Sequence, residues 1–381
     1  MKRIEVPSIH TINDSIAGSN GLTAISTFAG GGGSSTGYKW AGFRVPVALE
    51  FVDKAAATYR ANAPSTHVIE EDIRNVTAHR LLDLAGLDVG ELDVLDGSPP
   101  CQAFSNAGLK DKGWGEVKQY SGAYTQQTDD LFFEYIRLID GVRPKVFVAE
   151  NVTGMVNGVA KGYFAEIYRR MESLGYRVAA QQVEGVRLGL PQRRQRIIFI
   201  GVRGDLRRDP VFPKPYTDGR FVSIREAFED LGPQLRSDYD VLKDGTRTRQ
   251  AWDNTDVLRD PGGCFRYAYQ RLGWGDARYM WFRLPPNEPS PTVTAKVPTL
   301  CHWDEPRTLS IPEIIRVSSF PDDFNFGEGK SASFKARWER IGRAVPPLMM
   351  KRIGETIAHE ILKKPIRPHY RLVAGVWTKV N

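Results

Sequence analysis

A chain of 381 residues with 41% hydrophobic and 25% charged residues has the composition of a folded protein of two or three domains, not a disordered one. It contains no run of about 18 apolar residues, and Met1 to Gly21 lacks the apolar stretch of a signal peptide, so a cytoplasmic protein without a membrane span is expected. Three cysteines, Cys101, Cys264 and Cys301, are odd in number and far apart, which argues against a disulfide framework or a zinc knuckle. The net charge of +7 is uneven: residues 330–381 carry 12 Lys and Arg against 3 Asp and Glu, leaving 40 against 42 elsewhere. A basic end beside a neutral body suits contact with nucleic-acid phosphates, although charge alone equally serves solubility.

Along the chain, short apolar runs alternate with helix-length amphipathic stretches from Leu22 to about Val202. Leu22 to Phe28, Val45 to Leu49, Leu92 to Asp96, Lys145 to Ala149 and Arg196 to Ile200 read as buried parallel strands. Helices are predicted at Asp53 to Asn62, Thr128 to Gly141 and Tyr163 to Leu174, the last closed by Gly175. This alternation predicts an α/β fold with helices on both faces of a wound sheet. From Arg203 to about Thr308 the periodicity fades and Pro, Gly, Trp, Tyr and Arg become frequent, predicting a smaller loop-rich domain. Helical spacing returns at Met349, Ile353, Ile357 and Ile361. The expected divisions are an extension over 1–20, a catalytic and cofactor-binding domain over 21–202, a loop-rich domain over 203–305, a returning segment over 306–365 and a basic tail over 366–381.

The chemistry-bearing motifs sit at strand ends. The first strand runs into Phe28-Ala29-Gly30-Gly31-Gly32-Gly33, and Glu50 ends the next strand 20 residues after Gly30. Glycines let a backbone approach a ligand and an acid at that distance binds ribose hydroxyls; a plain glycine turn beside an ordinary strand-end acid is the alternative. Asp72 follows the third strand, where it could meet an adenine amino group or simply cap a helix. Ser98-Pro99-Pro100-Cys101-Gln102 ends the fourth strand, a place for a nucleophilic thiol, although an isolated cysteine is more often an inert core residue. Glu150-Asn151-Val152 and Gln192-Arg193-Arg194-Gln195-Arg196 would bring a carboxylate and guanidinium groups to the same edge; a structural salt bridge is the plainer account of such a pair.

Taken together, these segments resemble the DNA (cytosine-5) methyltransferase family over about residues 22–202 and 289–361. Pro289-Ser290-Pro291-Thr292, Ser319-Phe320-Pro321-Asp322-Asp323-Phe324 and Ala344-Val345-Pro346-Pro347 complete its ordered motifs. The resemblance implies a Rossmann-like S-adenosylmethionine-dependent sheet with a smaller target-recognition domain over the unmatched stretch from Arg203 to about Glu288. It implies S-adenosylmethionine as methyl donor, S-adenosylhomocysteine as product and no metal. By position, Phe28, Ala29, Gly30, Gly32, Glu50, Asp72, Ile73, Pro99 and Leu131 would surround the donor, and Cys101, Glu150, Arg194 and Arg196 would be catalytic. Two departures stand out: Gly342-Arg343 where the family commonly has Gly-Asn, and Pro312-Glu313 where it has Arg-Glu.

The implied mechanism is addition of Cys101 to C6 of a cytosine extruded from duplex DNA, with Glu150 and Arg196 holding the base. The loop from Ala107 to Tyr124 would cover the base or simply be a solvated loop. Gln102, Ser105, Arg247, Arg249, Arg266, Arg271 and Thr292, with Arg278, are the expected DNA contacts, whereas Trp252, Trp274 and Trp281 read as local core. The chain is expected to act as a monomer on double-stranded DNA in a prokaryotic or phage setting, with a companion restriction endonuclease for the same site. A tRNA-directed enzyme and a catalytically silent DNA-binding regulator are the alternatives.

Overall fold

The apolar runs between the glycine and acid motifs form a seven-stranded sheet. In the computed structural model, which describes residues 5–100, 118–120, 124–126, 131–156, 160–216, 219–232, 239–275, 281–295, 298–327, 332–364, 370–373 and 376–379, the strands are β1 (Thr23–Thr27), β2 (Arg44–Leu49), β3 (His67–Ile69), β4 (Val94–Gly97), β5 (Val146–Asn151), β6 (Tyr176–Glu184) and β7 (Gln195–Arg203). Their order is β3-β2-β1-β4-β5-β7-β6. The pairings from β3 to β5 are parallel. Contrary to the all-parallel expectation, β7 runs antiparallel to β5, with Ile198 opposite Glu150. A continuous apolar run reports burial on both faces but carries no direction. Periodicity also gave no sign of β6, a strand at the sheet edge whose mixed burial breaks the apolar run.

Helices lie on both faces, as expected. They are α1 (Gly33–Trp40), α2 (Asp53–Asn62), α3 (Ala78–Ala85), α4 (Leu131–Val142) and α5 (Ala160–Ser173), and Gly175 follows α5 with φ +84°. On one face Ile25, Val47, Leu49, Leu95, Phe147 and Phe199 pack with apolar residues of α3, α4 and α5 in the principal core. Each such side chain contributes about 1.5–3 kcal/mol on burial. On the other face Ala48 packs with Ala29 and with Tyr59 of α2. Because β residues alternate between faces, Ser26, Asp96 and Glu150 share this second face. Met349, Ile353, Ile357 and Ile361 are buried in helix Pro347–Thr356 and its π-helical continuation Ile357–Ile361. Gly354 lets that helix close on Ala41, Tyr38 and Phe43: a Cβ there would lie 3.1 Å from the Ala41 Cβ.

These elements belong to one compact unit, residues Ile9–Val183, Gln195–Lys214 and Met349–Asn381; the other comprises Met1–Ser8, Glu184–Arg194 and Pro215–Leu348. The second unit is built of short helices and two-residue strand pairs. Gln192–Arg193 pairs parallel with Ser290–Pro291, and Phe282–Arg283 with Leu300–Cys301. Ser223 and Ser310 each close a reciprocal cap with the glutamate three residues on, Glu226 and Glu313. Trp252 is buried with Leu242, Phe265 and Cys301, and Trp274 and Trp281 pack against that cluster, a local core as read from the sequence. Among the described residues, no helix is long and apolar enough to cross a membrane.

Candidate active site

The sheet reverses its winding between β1 and β4: from β1 the chain proceeds outward to β2 and β3, and from β4 toward β5. The C-terminal ends of β1 and β4 therefore lie side by side, with Thr27 opposite Gly97. Open α/β sheets bind ligands at this point. After β1, Phe28 adopts φ +51°, a left-handed conformation that costs a non-glycine residue roughly 1–3 kcal/mol. Gly30 (φ +55°) and Gly32 (φ +96°) complete the turn into α1. A Cβ on Gly30 would meet nothing within 4 Å, so the turn has open space beside it.

Glu50, at the end of β2, holds this turn. Its Oε2 accepts from the Gly30 N–H at 2.7 Å and its Oε1 from the Val52 N–H at 2.7 Å. Burial nonetheless raises its pKa above the usual carboxylate value, outweighing those hydrogen bonds. Asp72 accepts from the Arg74 N–H at 3.0 Å and pairs with the Arg74 guanidinium at 2.9 Å, which is the capping role weighed for it. Ile73 and Leu131 are buried together in the principal core. Thus Phe28, Ala29, Gly30, Gly32 and Glu50 form one constellation, while Asp72, Ile73 and Leu131 belong to the neighbouring strand end and α4.

Three residues, Gly97, Ser98 and Asn151, shape the segment that leads to Cys101. Gly97 is pressed between neighbours: an added Cβ would lie 2.6 Å from the Tyr135 ring and 2.8 Å from Thr27 Oγ1. Ser98 Oγ donates to the Phe28 carbonyl at 3.1 Å, and Asn151 Nδ2 donates to the buried Pro99 carbonyl at 3.1 Å. Asn151 follows Glu150, whose carboxylate lies 2.6 Å from Arg196 Nε, closely paired charges rather than an aligned hydrogen bond. Glu150 and Arg196 are thus brought together from β5 and β7. Cys101, Gln102 and Ser105 lie outside the described residues, as does most of the loop from Ala107 to Tyr124. Within that loop Lys118–Tyr120 pairs antiparallel with Tyr124–Gln126.

Asp96, one residue before Gly97, escaped the sequence reading. It is buried on β4; Oδ2 accepts from Ser34 Oγ at 2.5 Å and Ser26 Oγ at 3.1 Å, and Oδ1 from the Tyr38 hydroxyl at 3.4 Å. Burial pushes its carboxyl up to about 7 against the lowering effect of the two serines, and nearby Glu150 raises it further. The available signal was an acid between Leu95 and Gly97 in a strand buried on both faces, where a polar side chain must find partners.

The other expected residues fall in the second unit. Arg194 is buried and donates to the Gly342 carbonyl at 3.4 Å, and Gln192 donates to the Val317 carbonyl at 3.2 Å while accepting from the Val293 N–H. Thr292 donates to the Arg193 carbonyl at 2.7 Å. Arg343, the departure from the family's asparagine, pairs with Glu339 at 2.9 Å. Arg249 pairs with Asp244 and Asp253, Arg271 grips both oxygens of Asp260, and Arg247 stacks 5.4 Å from the Trp274 ring. Arg266 is exposed, and Arg278 lies outside the described residues.

Comparison with known proteins decides the family. The model of the C-5 cytosine-specific DNA methylase family matches residues 22–359. The chain belongs to that family. It is 32% identical over 349 residues to the type II methyltransferase M.Sau96I of Staphylococcus aureus, covering 87% of this chain and 75% of that one. It is 30% identical over 350 residues to the type II methyltransferase M1.HphI of Haemophilus parahaemolyticus, covering 88% and 86%. Among solved structures, an E. coli prophage-encoded chain described as a DNA modification methyltransferase superposes with a TM-score of 0.66 at 23% identity, covering 90% of this chain and 99% of that one. The Dnmt2 methyltransferase of S. pombe gives 0.55 at 14% identity, covering 89% and 99%. This DNA (cytosine-5) methyltransferase carries the family's mixed α/β sheet, and covalent addition of an enzyme thiol to the cytosine ring is the family's mechanism.

Proposed function

We propose that the switch-point end of the sheet is the active site, that Cys101 is its nucleophile and that duplex DNA containing a specific target sequence is its substrate. The Glu150–Arg196 pair carries the reading, because Glu150 stands on β5 beside Asn151, which holds the Pro99 carbonyl two residues before Cys101. The turn suits S-adenosylmethionine: open space lies beside Gly30, and Glu50, which accepts from the N–H groups of Gly30, Val52 and Phe51, retains a lone pair for a ribose hydroxyl. When bound, that molecule supplies the electrophilic methyl group. Phe28, Ala29, Gly30, Gly32 and Glu50 would hold it, with Asp72, Ile73, Pro99 and Leu131 around it.

Cytosine C5 is a weak nucleophile, so Cys101 adds to C6 and moves electron density to C5. Glu150 binds the N3 and exocyclic-amine edge and stabilises the adduct; Arg196 orients Glu150 and meets O2. Once C5 carries the methyl group, removal of its proton and expulsion of Cys101 restore the ring. The base must leave the duplex for its C6 face to be reached. Gln102, Ser105, Arg247, Arg249, Arg266, Arg271 and Thr292 are the proposed DNA contacts, with Arg194 supporting the motif from the second unit. A monomer in the cytoplasm of a bacterial or phage-bearing cell, accompanied by an endonuclease for the same sequence, completes the reading.

A 5-fluorocytosine duplex tests it, because fluorine cannot leave C5 as a proton does. With S-adenosylmethionine, wild-type protein should form a denaturation-resistant adduct mapped to Cys101, while Cys101→Ala should bind DNA without trapping. An adduct on Cys264 or Cys301, or none on a verified target, would overturn the assignment. Methyl transfer to tRNA but not to duplex DNA would overturn the proposed substrate.

A further inference from the structure

The turn at Gly30 to Gly33 is four consecutive glycines, the sequence with the most conformational freedom to lose when a ligand must be positioned. Glu50 fixes its near end through the Gly30 N–H. Its far end is followed at once by Ser34, whose hydroxyl reaches Asp96 at 2.5 Å, and Tyr38, one turn further along α1, reaches the other oxygen of the same carboxylate. Ser26 Oγ of β1 adds a third donor at 3.1 Å. The strand ladder aligns β1 with β4, and Asp96 ties α1 to that pair through Ser34 and Tyr38.

We propose that Asp96 is a positioning residue for methyl transfer: it pins the far end of the glycine turn to the strand that leads into Cys101. The inference rests on the active-site reading above. A carboxylate suits this place because it accepts from three hydroxyls at once, whereas an apolar residue would leave Ser26, Ser34 and Tyr38 without that acceptor. For packing alone, valine or isoleucine would serve a strand buried on both faces, without the cost of burying an acid. Fully satisfied polar networks of this kind select one arrangement among close alternatives. Here the arrangement selected is that of the donor-binding turn against the nucleophile's strand.

Titration calorimetry with S-adenosylmethionine, well below the melting temperature, tests the proposal on Asp96→Asn, Ser34→Ala, Tyr38→Phe and the Asp96→Asn/Ser34→Ala double variant. Loss of a hydrogen bond of this buried network should raise Kd about tenfold in Asp96→Asn and Ser34→Ala. The double variant should be no weaker than Asp96→Asn alone. Affinity for duplex DNA should stay at the wild-type value, and the melting temperature of Asp96→Asn should not fall. Binding within twofold of wild type in both single variants, or losses that simply follow falling melting temperatures, would overturn the proposal. If Asp96→Asn does not fold, Ser34→Ala and Tyr38→Phe decide alone by the same criteria. A wild-type protein that binds no S-adenosylmethionine would overturn the active-site reading together with this inference; wild-type binding with unaltered variants would overturn this inference alone.

Discussion

The two units use polar side chains in opposite ways. At the sheet's switch point, Glu50, Asp96 and Asn151 are buried and bond to neighbouring backbone or hydroxyls, so each holds another part of the site in place. In the second unit, Arg249 is held by the exposed carboxylates of Asp244 and Asp253, which on the proposed reading a DNA phosphate would replace, whereas Arg271 is anchored to the buried Asp260. Buried networks tolerate one arrangement, whereas exposed pairs are weak and exchange partners readily. On the proposed reading, the chemistry is thus fixed by the fold, while recognition draws on exposed side chains free to vary.

The sharpest way to break this contrast is at Glu150. Glu150→Gln keeps the shape but removes the charge beside Arg196, and should slow single-turnover methyl transfer by about 10²–10⁴-fold, with duplex affinity changed far less. A loss below about tenfold would place Glu150 outside the chemistry.

The second unit also contains a buried ion pair that sharpens the comparison. Arg307 and Glu313 are almost fully buried and meet through two bonds of 2.8 and 2.9 Å. Glu313→Ala removes the buried carboxylate of Arg307, leaving it only the half-exposed Glu305, and should destabilise the protein by about 3–5 kcal/mol in denaturant titration. A loss below about 1 kcal/mol would show that this pair behaves like a surface one.

The Asp96 carboxyl, raised to about 7, makes a pH-dependent counterpart. Because its folded value exceeds the ordinary carboxylate value, the folded state retains the proton longer; stability falls as pH rises from about 4 to 7 and then levels. Tyr38, Tyr59, Tyr135 and Glu150 are the titratable groups coupled to it. Asp96→Asn should flatten that decline in thermal melts across the same range, and an unaltered slope would remove Asp96 as its source. Glu50→Ala, which releases the Gly30 N–H, should weaken S-adenosylmethionine binding by about 1.5–3 kcal/mol in calorimetry; unchanged affinity would remove Glu50 from the site. The smallest effect belongs to Arg249→Gln, whose partners Asp244 and Asp253 are exposed. If Arg249 meets a phosphate, the log–log salt slope of duplex binding should decrease by about 0.9 with little change in melting temperature.

Much of this site was legible because its motifs are local. Glycines after a strand, an acid closing the next and Pro-Pro-Cys closing the fourth place themselves once the strands are found. Burial of Met349, Ile353, Ile357 and Ile361 followed from spacing alone. Direction was not legible in β7, since its apolar residues would be buried either way. Asp96 was missed because its partners Ser26 and Ser34 are 70 and 62 residues away, so only the folded sheet shows the convergence. The arginines expected to touch DNA could be listed by type, but their pairing with Asp244, Asp253 and Asp260 is a property of the folded chain.

The Gln192–Arg196 motif is divided: Gln192 and Arg194 bond within one unit, while Arg196 pairs within the other. For inheritance this matters more than for chemistry. A recombination event that imports new specificity from a relative must carry 184–194 along with 215–348 if Gln192 is to meet its own Val317 and Thr292 its own Arg193. A single crossover between those stretches separates the partners. If, as proposed, specificity resides in the second unit, it should pass between relatives as a two-part cassette, and natural mosaics should keep the two parts in matched ancestry.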